Sequence, residues 1–445
     1  MIRREDSSFR DTAAFVFSAD GIIYRQLQPV YQQAYDHLMV SGLYYALADS
    51  GMLIPHEESN MLCDGAYKVI KPRQISFINY PYEWSFEQLK AAALLTLKIQ
   101  QKAMLFGMTL KDASGFNICF EGSQPIFIDT ASFDLYDASK PWSAYRQFCQ
   151  HFLAPLLLAK YRGSSLLSLL ALYPDGIPLE LAAKLLPKRS NFSLLSLLHI
   201  HLQQKVSATG KNANQRSSFS QAKLSRIIEH LQSGIAALSI RKETSHWSKY
   251  YHETILSDAY LKGKKKVVLD MTGSLPVETV LDLGANTGEF SMELVNQGKR
   301  VIAAESDRIC VDQIFSKHKK VTAVCVDLMH PSPSIGWMNK ERSRFSERAK
   351  SDLVLALALM HHLCIGKNLP LSLLAKGLIE LGPWLLIEFV PKSDPKVQLL
   401  LHTRQDIFDE YTEDHFKRSF SQYYTLIQEA ALSESDRKLF LFKRK

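Results

Sequence analysis

The sequence predicts an α/β protein of two domains: an amino-terminal α+β half, then a doubly wound parallel sheet that closes with an antiparallel hairpin. Three observations lead there. The chain has 445 residues, more than the roughly 100–200 that one core usually organises. A polar stretch without apolar period, SATGKNANQRSSFSQ at 207–221, interrupts it. Beyond about residue 270, apolar strand runs alternate with helical runs, the rhythm of a parallel sheet covered on both faces. The expected boundaries are 1–205 for the first domain, 206–245 for linker and lead-in helix, and 246–445 for the second.

In the first half, FVFSADGIIYRQL reads as a hairpin turning at Asp20-Gly21, and a helical stretch covers 30–49. AYKVIKP and ISFINY read as strands. SFEQLKAAALLTLKIQQKAMLFG is a long helix with Ser85 as its cap and Gly107 as its stop. Leucine-rich helical segments continue to about 204.

In the second half the strands are VETVLDLG, RVIAAE, VTAVCVD, DLVLALAL and PWLLIEFV. The helices TGEFSMELVNQ and DRICVDQIFSKH lie between the first three. YYTLIQEAAL and RKLFLFKRK, close together around SESD, form the antiparallel pair at the sheet edge.

A hydrophobic fraction of 46% with 22% charged residues excludes a disordered chain. No run reaches a membrane span and MIRREDSSFRD has no apolar leader core, so a cytoplasmic protein is expected. Cys63, Cys119, Cys149, Cys310, Cys325 and Cys364 show no C-x-x-C pairing and imply neither a disulfide frame nor a structural metal. The net charge of +8 is dispersed. Its one dense run, KGKKK at 262–266, reads as a solvated face, so nucleic acid is not indicated.

The stretch VLDLGANTGEFS at 280–291 carries the chemistry. Asp282, Gly284 and Gly288 form D-x-G-x-x-x-G rather than the dinucleotide G-x-G-x-x-G. A carboxylate at that strand end repels a pyrophosphate and attracts an ammonium group, while the glycines let backbone approach a ligand. The next strand ends in Glu305, suited to accept from two ribose hydroxyls. The third ends in Asp327, suited to accept from an adenine amine. Glu305 could instead cap the following helix, and Asp327 could be a turn residue.

Ammonium, ribose and adenine together describe S-adenosylmethionine. On VLDLGANTGEFS, AAESD, CVDL, LALALMHHL and the terminal hairpin, residues 246–445 resemble the class I S-adenosylmethionine-dependent methyltransferases, which have a Rossmann-like sheet of this kind. The resemblance implies that Asp282, Gly284, Asn286 and Gly288 serve the methionine end, Glu305 the ribose and Asp327 the adenine. The acceptor would then lie at the fourth and fifth strand ends, where His361, His362 and Glu388 are the candidate acid/base residues. Adjacent histidines point apart, so at most one faces the methyl group. A metal reading of these histidines with Glu388 and Asp394 fits no ligand spacing, and none is assigned. Trp337, Asn339 and Arg342, in the polar loop 328–352, and Tyr250 and Tyr251 are candidate lid or acceptor contacts.

In GMTLKDASGFNICFEGSQPIFIDTASF, Asp112, Asn117 and Asp129 stand as D-x-x-x-x-N followed by an I-D strand end. This resembles protein kinases and aminoglycoside phosphotransferases, and it implies a base at Asp112 and magnesium ligands at Asn117 and Asp129. INYPYEW would link the lobes, with Lys68 or Arg25 as the phosphate-binding cation. The glycine-rich loop is missing, Leu110 replaces histidine and Thr130-Ala131 follow Asp129. Mg-ATP is therefore expected to bind weakly or not at all, and Asp112 and Asn117 could simply organise a turn. The whole chain is also similar to NoeA-like nodulation-protein methyltransferases, which would point to a glycan or small-molecule acceptor methylated on oxygen or nitrogen. The alternatives are a bifunctional phosphotransferase/methyltransferase and a non-catalytic cofactor-binding protein.

Overall fold

The structure, a computed structural model, describes residues 2–61, 63–204, 220–240, 258–402 and 404–445. They form two compact units. One holds the described residues up to 240 together with Ser334–Ser343, and the other holds 258–333 and 344–445. Tyr250 and Tyr251 lie outside the described residues, as does most of the expected linker.

In the amino-terminal unit, β1 (Ile2–Arg4), β2 (Ala14–Ala19), β3 (Ile22–Leu27), β4 (His56–Ser59) and β5 (Lys68–Pro72) form an antiparallel sheet in the order β1-β2-β3-β5-β4. The expected hairpin is β2–β3. Asp20 and Gly21 take positive φ, 50° and 79°, as a two-residue turn with that twist requires. Its helical stretch 30–49 is broken, because Gly42 at φ 85° separates Gln32–Val40 from Leu43–Ala48.

ISFINY does not form a strand. The buried Asn79 amide takes over its pairing by side chain, donating to the Phe120 carbonyl at 2.9 Å and accepting from its N–H at 3.1 Å. The long helix is Phe86–Leu105, and Ser85 and Gln88 close its start with reciprocal hydrogen bonds. After it, β6 (Met108–Leu110) pairs with β9 (Phe133–Leu135), and β7 (Ile118–Glu121) with β8 (Gln124–Phe127). The lead-in helix Gln221–Ala236 belongs to this unit, where Lys90 donates to the Leu238 carbonyl.

The carboxy-terminal unit has one seven-stranded sheet. Its strands are β10 (Thr279–Leu283), β11 (Arg300–Glu305), β12 (Thr322–Cys325), β13 (Leu353–Ala356), β14 (Trp384–Phe389), β15 (Tyr424–Ala431) and β16 (Lys438–Arg444). The order is β12-β11-β10-β13-β14-β16-β15, parallel except for the terminal pair, so the α/β class holds. Continuous burial of β10, β13 and β14 follows from their unbroken Val, Leu and Ile runs, which suit strands covered on both faces. Strand order reverses between β10 and β13, and such a switch point opens a crevice at the carboxyl ends.

Candidate functional site

A cavity of about 330 Å³ lies at that crevice. Four consecutive strand ends build it: Gly284 and Asn286 after β10, Glu305 and Ser306 at β11, Asp327 to Met329 after β12, and Leu357 to Leu359 after β13. His362 and Lys367 complete the wall.

The glycine turn has a steric origin. Gly284 and Asn286 take φ of 69° and 50°, and a Cβ at Gly284 would lie 3.1 Å from Leu359 Cδ1. Gly288 (φ 82°) begins the helix Glu289–Asn296 and packs against Ile314, 3.1 Å from where its Cβ would be.

Glu305 is held by amides. Asn286 N–H donates to one carboxylate oxygen at 2.9 Å, and Asp307 N–H (2.9 Å) and Ser306 Oγ (3.1 Å) donate to the other. Burial raises its carboxyl above the usual range while these donors oppose the shift. With two donors on Oε1 and one on Oε2, its Oε2 keeps acceptor capacity for a ligand. Asp327 accepts from Met329 N–H at 2.9 Å and also lines the cavity. The turn role weighed for Asp327 thus coexists with a place on the wall, whereas the cap of the helix Arg308–Lys317 is Asp307, which accepts from Ile309 N–H at 2.8 Å, and not Glu305.

Asp282 is not at the wall. It is buried, accepts from Ser291 Oγ at 2.6 Å, and burial pushes its carboxyl up to about 7. It ties strand β10 to the following helix. The expectation that it meets an ammonium group directly is corrected by that placement.

The histidines divide as adjacent residues should. His362 lines the cavity, whereas His361 is fully buried behind it, ring centroids 4.0 Å apart, and neither His361 ring nitrogen is hydrogen-bonded among the described residues. Burial, helped by the nearby charges of Arg437 and Lys264, holds His361 well below the usual imidazole range.

Glu388 is also not at the wall. At 0% exposure it accepts from Lys264 Nζ (2.5 Å), Tyr260 Oη (3.2 Å) and Ala358 N–H (2.6 Å), with Arg437 Nη1 3.6 Å away. Burial would raise its carboxyl, but Lys264 and Arg437 outweigh that and keep it low. A carboxylate so paired is not a general base facing an acceptor.

In KGKKK, Lys262 and Lys266 are exposed as a solvated face requires, and Lys264 alone departs from that expectation. The run lies on the helix Asp258–Gly273, and Lys264 is 5% exposed. The missed signal is periodic: Tyr260, Lys264, Val268 and Met271 form one buried stripe. Arg437 carries no such signal; it forms a two-bond pair with Asp394 at 2.7 and 3.0 Å.

The loop residues Trp337, Asn339 and Arg342 belong to the amino-terminal unit. Arg10 pairs with Glu341 there through two 3.0 Å bonds, and the Arg342 guanidinium lies 4.4 Å over the Phe116 ring. Trp337 is 72% exposed.

In the same unit, Asp129 is engaged by Arg25, Ser132 Oγ and Ala131 N–H. Burial lowers Arg25 to about 10. Asn117 donates to Ser132 Oγ at 3.1 Å, and Asp112 accepts from Ser114 N–H at 2.9 Å, organising the turn. Lys68 pairs with Glu58 instead.

Among known proteins, no family model matches the chain. The nodulation protein NoeA of Rhizobium meliloti (strain 1021) is 32% identical over 469 residues, covering 99% of this chain and 96% of that protein. Of solved structures, the N-methyltransferase NodS from Bradyrhizobium japonicum WM9 is 12% identical, with 42% of this chain and 98% of that one covered at a TM-score of 0.32. The magnesium protoporphyrin IX methyltransferase from Synechocystis PCC 6803, with S-adenosylhomocysteine bound, is 17% identical, with 45% and 93% covered at a TM-score of 0.33.

Proposed function

The chain belongs to the family of the nodulation protein NoeA, and we propose that it is an S-adenosylmethionine-dependent methyltransferase acting on an oxygen or nitrogen of a small-molecule or glycan acceptor. The observation that carries this is one cavity, at the switch point of the sheet, that gathers Gly284, Glu305 and Asp327 from three successive strand ends. Its volume is within the range of small-ligand sites. The acceptor capacity left on Glu305 Oε2 and on Asp327 suits a ribose hydroxyl and an adenine amine. The Gly284–Asn286 turn, where a side chain at 284 would meet Leu359, suits the close approach of the methionine end.

When bound, S-adenosylmethionine supplies a methyl group on a sulfonium. The protein's own work is to orient the partners and take a proton from the acceptor. With Glu305 and Asp327 assigned to the cofactor, His362 is the wall residue we assign to accept this proton. Asp282 acts behind the wall by fixing the strand-to-helix turn through Ser291.

We read the amino-terminal unit as kinase-like with a closed metal position, because Arg25 and Ser132 occupy the Asp129 carboxylate. A carboxylate so engaged does not hold the magnesium that phosphotransfer needs. The test is direct: purified protein with isotopically methyl-labelled S-adenosylmethionine and an extract of small molecules and glycans should yield labelled product. No label transfer, with cofactor binding intact, would favour a binding protein without turnover.

A further inference from the structure

Glu388 is too buried and too well paired to act on an acceptor, yet one of its bonds leads to the cavity. The N–H that donates to its Oε2 at 2.6 Å is that of Ala358, whose φ is 50°. A non-glycine residue there is strained and persists where surroundings impose it. Ala358 lies on the cavity wall between Leu357 and Leu359. The turn it makes ends β13 and starts the helix Met360–Cys364, whose first bonds run from His362 N–H (3.0 Å) and Leu363 N–H (3.3 Å) to the Leu359 carbonyl. The same turn lays Leu359 against Gly284.

We propose that Glu388 is a positioning residue: its carboxylate holds the left-handed turn at Ala358, and through it sets both Leu359 over the glycine turn and His362 in the wall. Lys264, Tyr260 and Arg437 fix the carboxylate in turn. Each comes from an element outside the cavity, so the wall is braced from the buried side. This rests on the cofactor reading only where ligand affinity is concerned; the bracing of the turn is independent of it.

The test uses the full chain carrying Lys264→Met and Glu388→Met together, which removes the Ala358 acceptor without leaving a lone buried charge. Amide hydrogen exchange is measured without ligand, and S-adenosylhomocysteine affinity by calorimetry. Exchange over 357–363 should accelerate at least tenfold relative to β10, and affinity should fall about tenfold. Adding Ala358→Gly, which accepts positive φ freely, should restore most of the affinity although the carboxylate is still missing. A role in stability alone would not be rescued by that glycine. Should the double variant not fold, Lys264→Met with Glu388→Gln reads the same exchange with a smaller rise, because a neutral acceptor holds the N–H less strongly. Unchanged exchange over 357–363, or an affinity that Ala358→Gly leaves as weak, overturns the proposal. A wild-type protein that shows no S-adenosylhomocysteine binding counts against the cofactor reading alone, and the exchange result still decides the positioning role.

Discussion

Glu305 is the last residue and Glu388 the next to last of two apolar parallel strands of the same sheet, and the fold uses them in opposite ways. Glu305 meets two backbone N–H groups and a hydroxyl and stays on the cavity wall. Glu388 meets a lysine, an arginine and a tyrosine and disappears behind the wall. Asp129 repeats the second pattern in the other unit, where Arg25 closes on it. Amide donors orient a carboxylate and leave it with acceptor capacity. Cations of the chain itself consume it. An acidic residue at a strand end is thus a ligand-binding group or a brace according to what the rest of the chain brings to it.

The largest expected effect tests the wall side. His362→Ala should lower the rate of methyl transfer by roughly 10²–10⁴ with cofactor affinity nearly unchanged. Full turnover in a single-turnover assay would make catalysis positioning alone.

Next comes the brace. Arg437→Met leaves Asp394 without its partner and Glu388 with one cation fewer. Breaking such a buried network should cost about 3–5 kcal/mol in urea unfolding. A loss under about 1 kcal/mol would show that the network does not hold the fold.

Much of this was legible in the sequence. The turns at Asp20-Gly21 and Gly284–Gly288 were, because positive φ is a local demand that few residues meet. So was the sheet, whose strands read as unbroken apolar runs. The partners were not. Lys264 is 124 residues from Glu388, and Arg10 is 331 from Glu341, separations that no local pattern encodes. The strand expected over ISFINY fails for the same reason, since its pairing is made by the Asn79 side chain rather than by a strand ladder.

A smaller effect concerns pH. Burial raises Asp282 to about 7, above its unfolded value of about 3.9. The folded state therefore holds more protons between those values, and this group's contribution to stability is full below about pH 4 and declines as pH rises to about 7. Asp282→Asn should flatten that decline in unfolding midpoints measured from pH 4.5 to 8. The same slope in both proteins would mean that Asp282 is ionised where it sits. Smallest of all is the expected response to Mg-ATP. With Asp129 engaged by Arg25, titration should show no saturable binding, and binding that Asp129→Asn abolishes would reopen that site.

The most direct test of the cavity is a calorimetric titration with S-adenosylhomocysteine of the wild-type protein and of Glu305→Ala. The account predicts saturable one-site binding that the substitution weakens by about 1.5–3 kcal/mol, the range for a lost hydrogen bond to a charged group. No binding by the wild type, or equal affinity in both proteins, would contradict it.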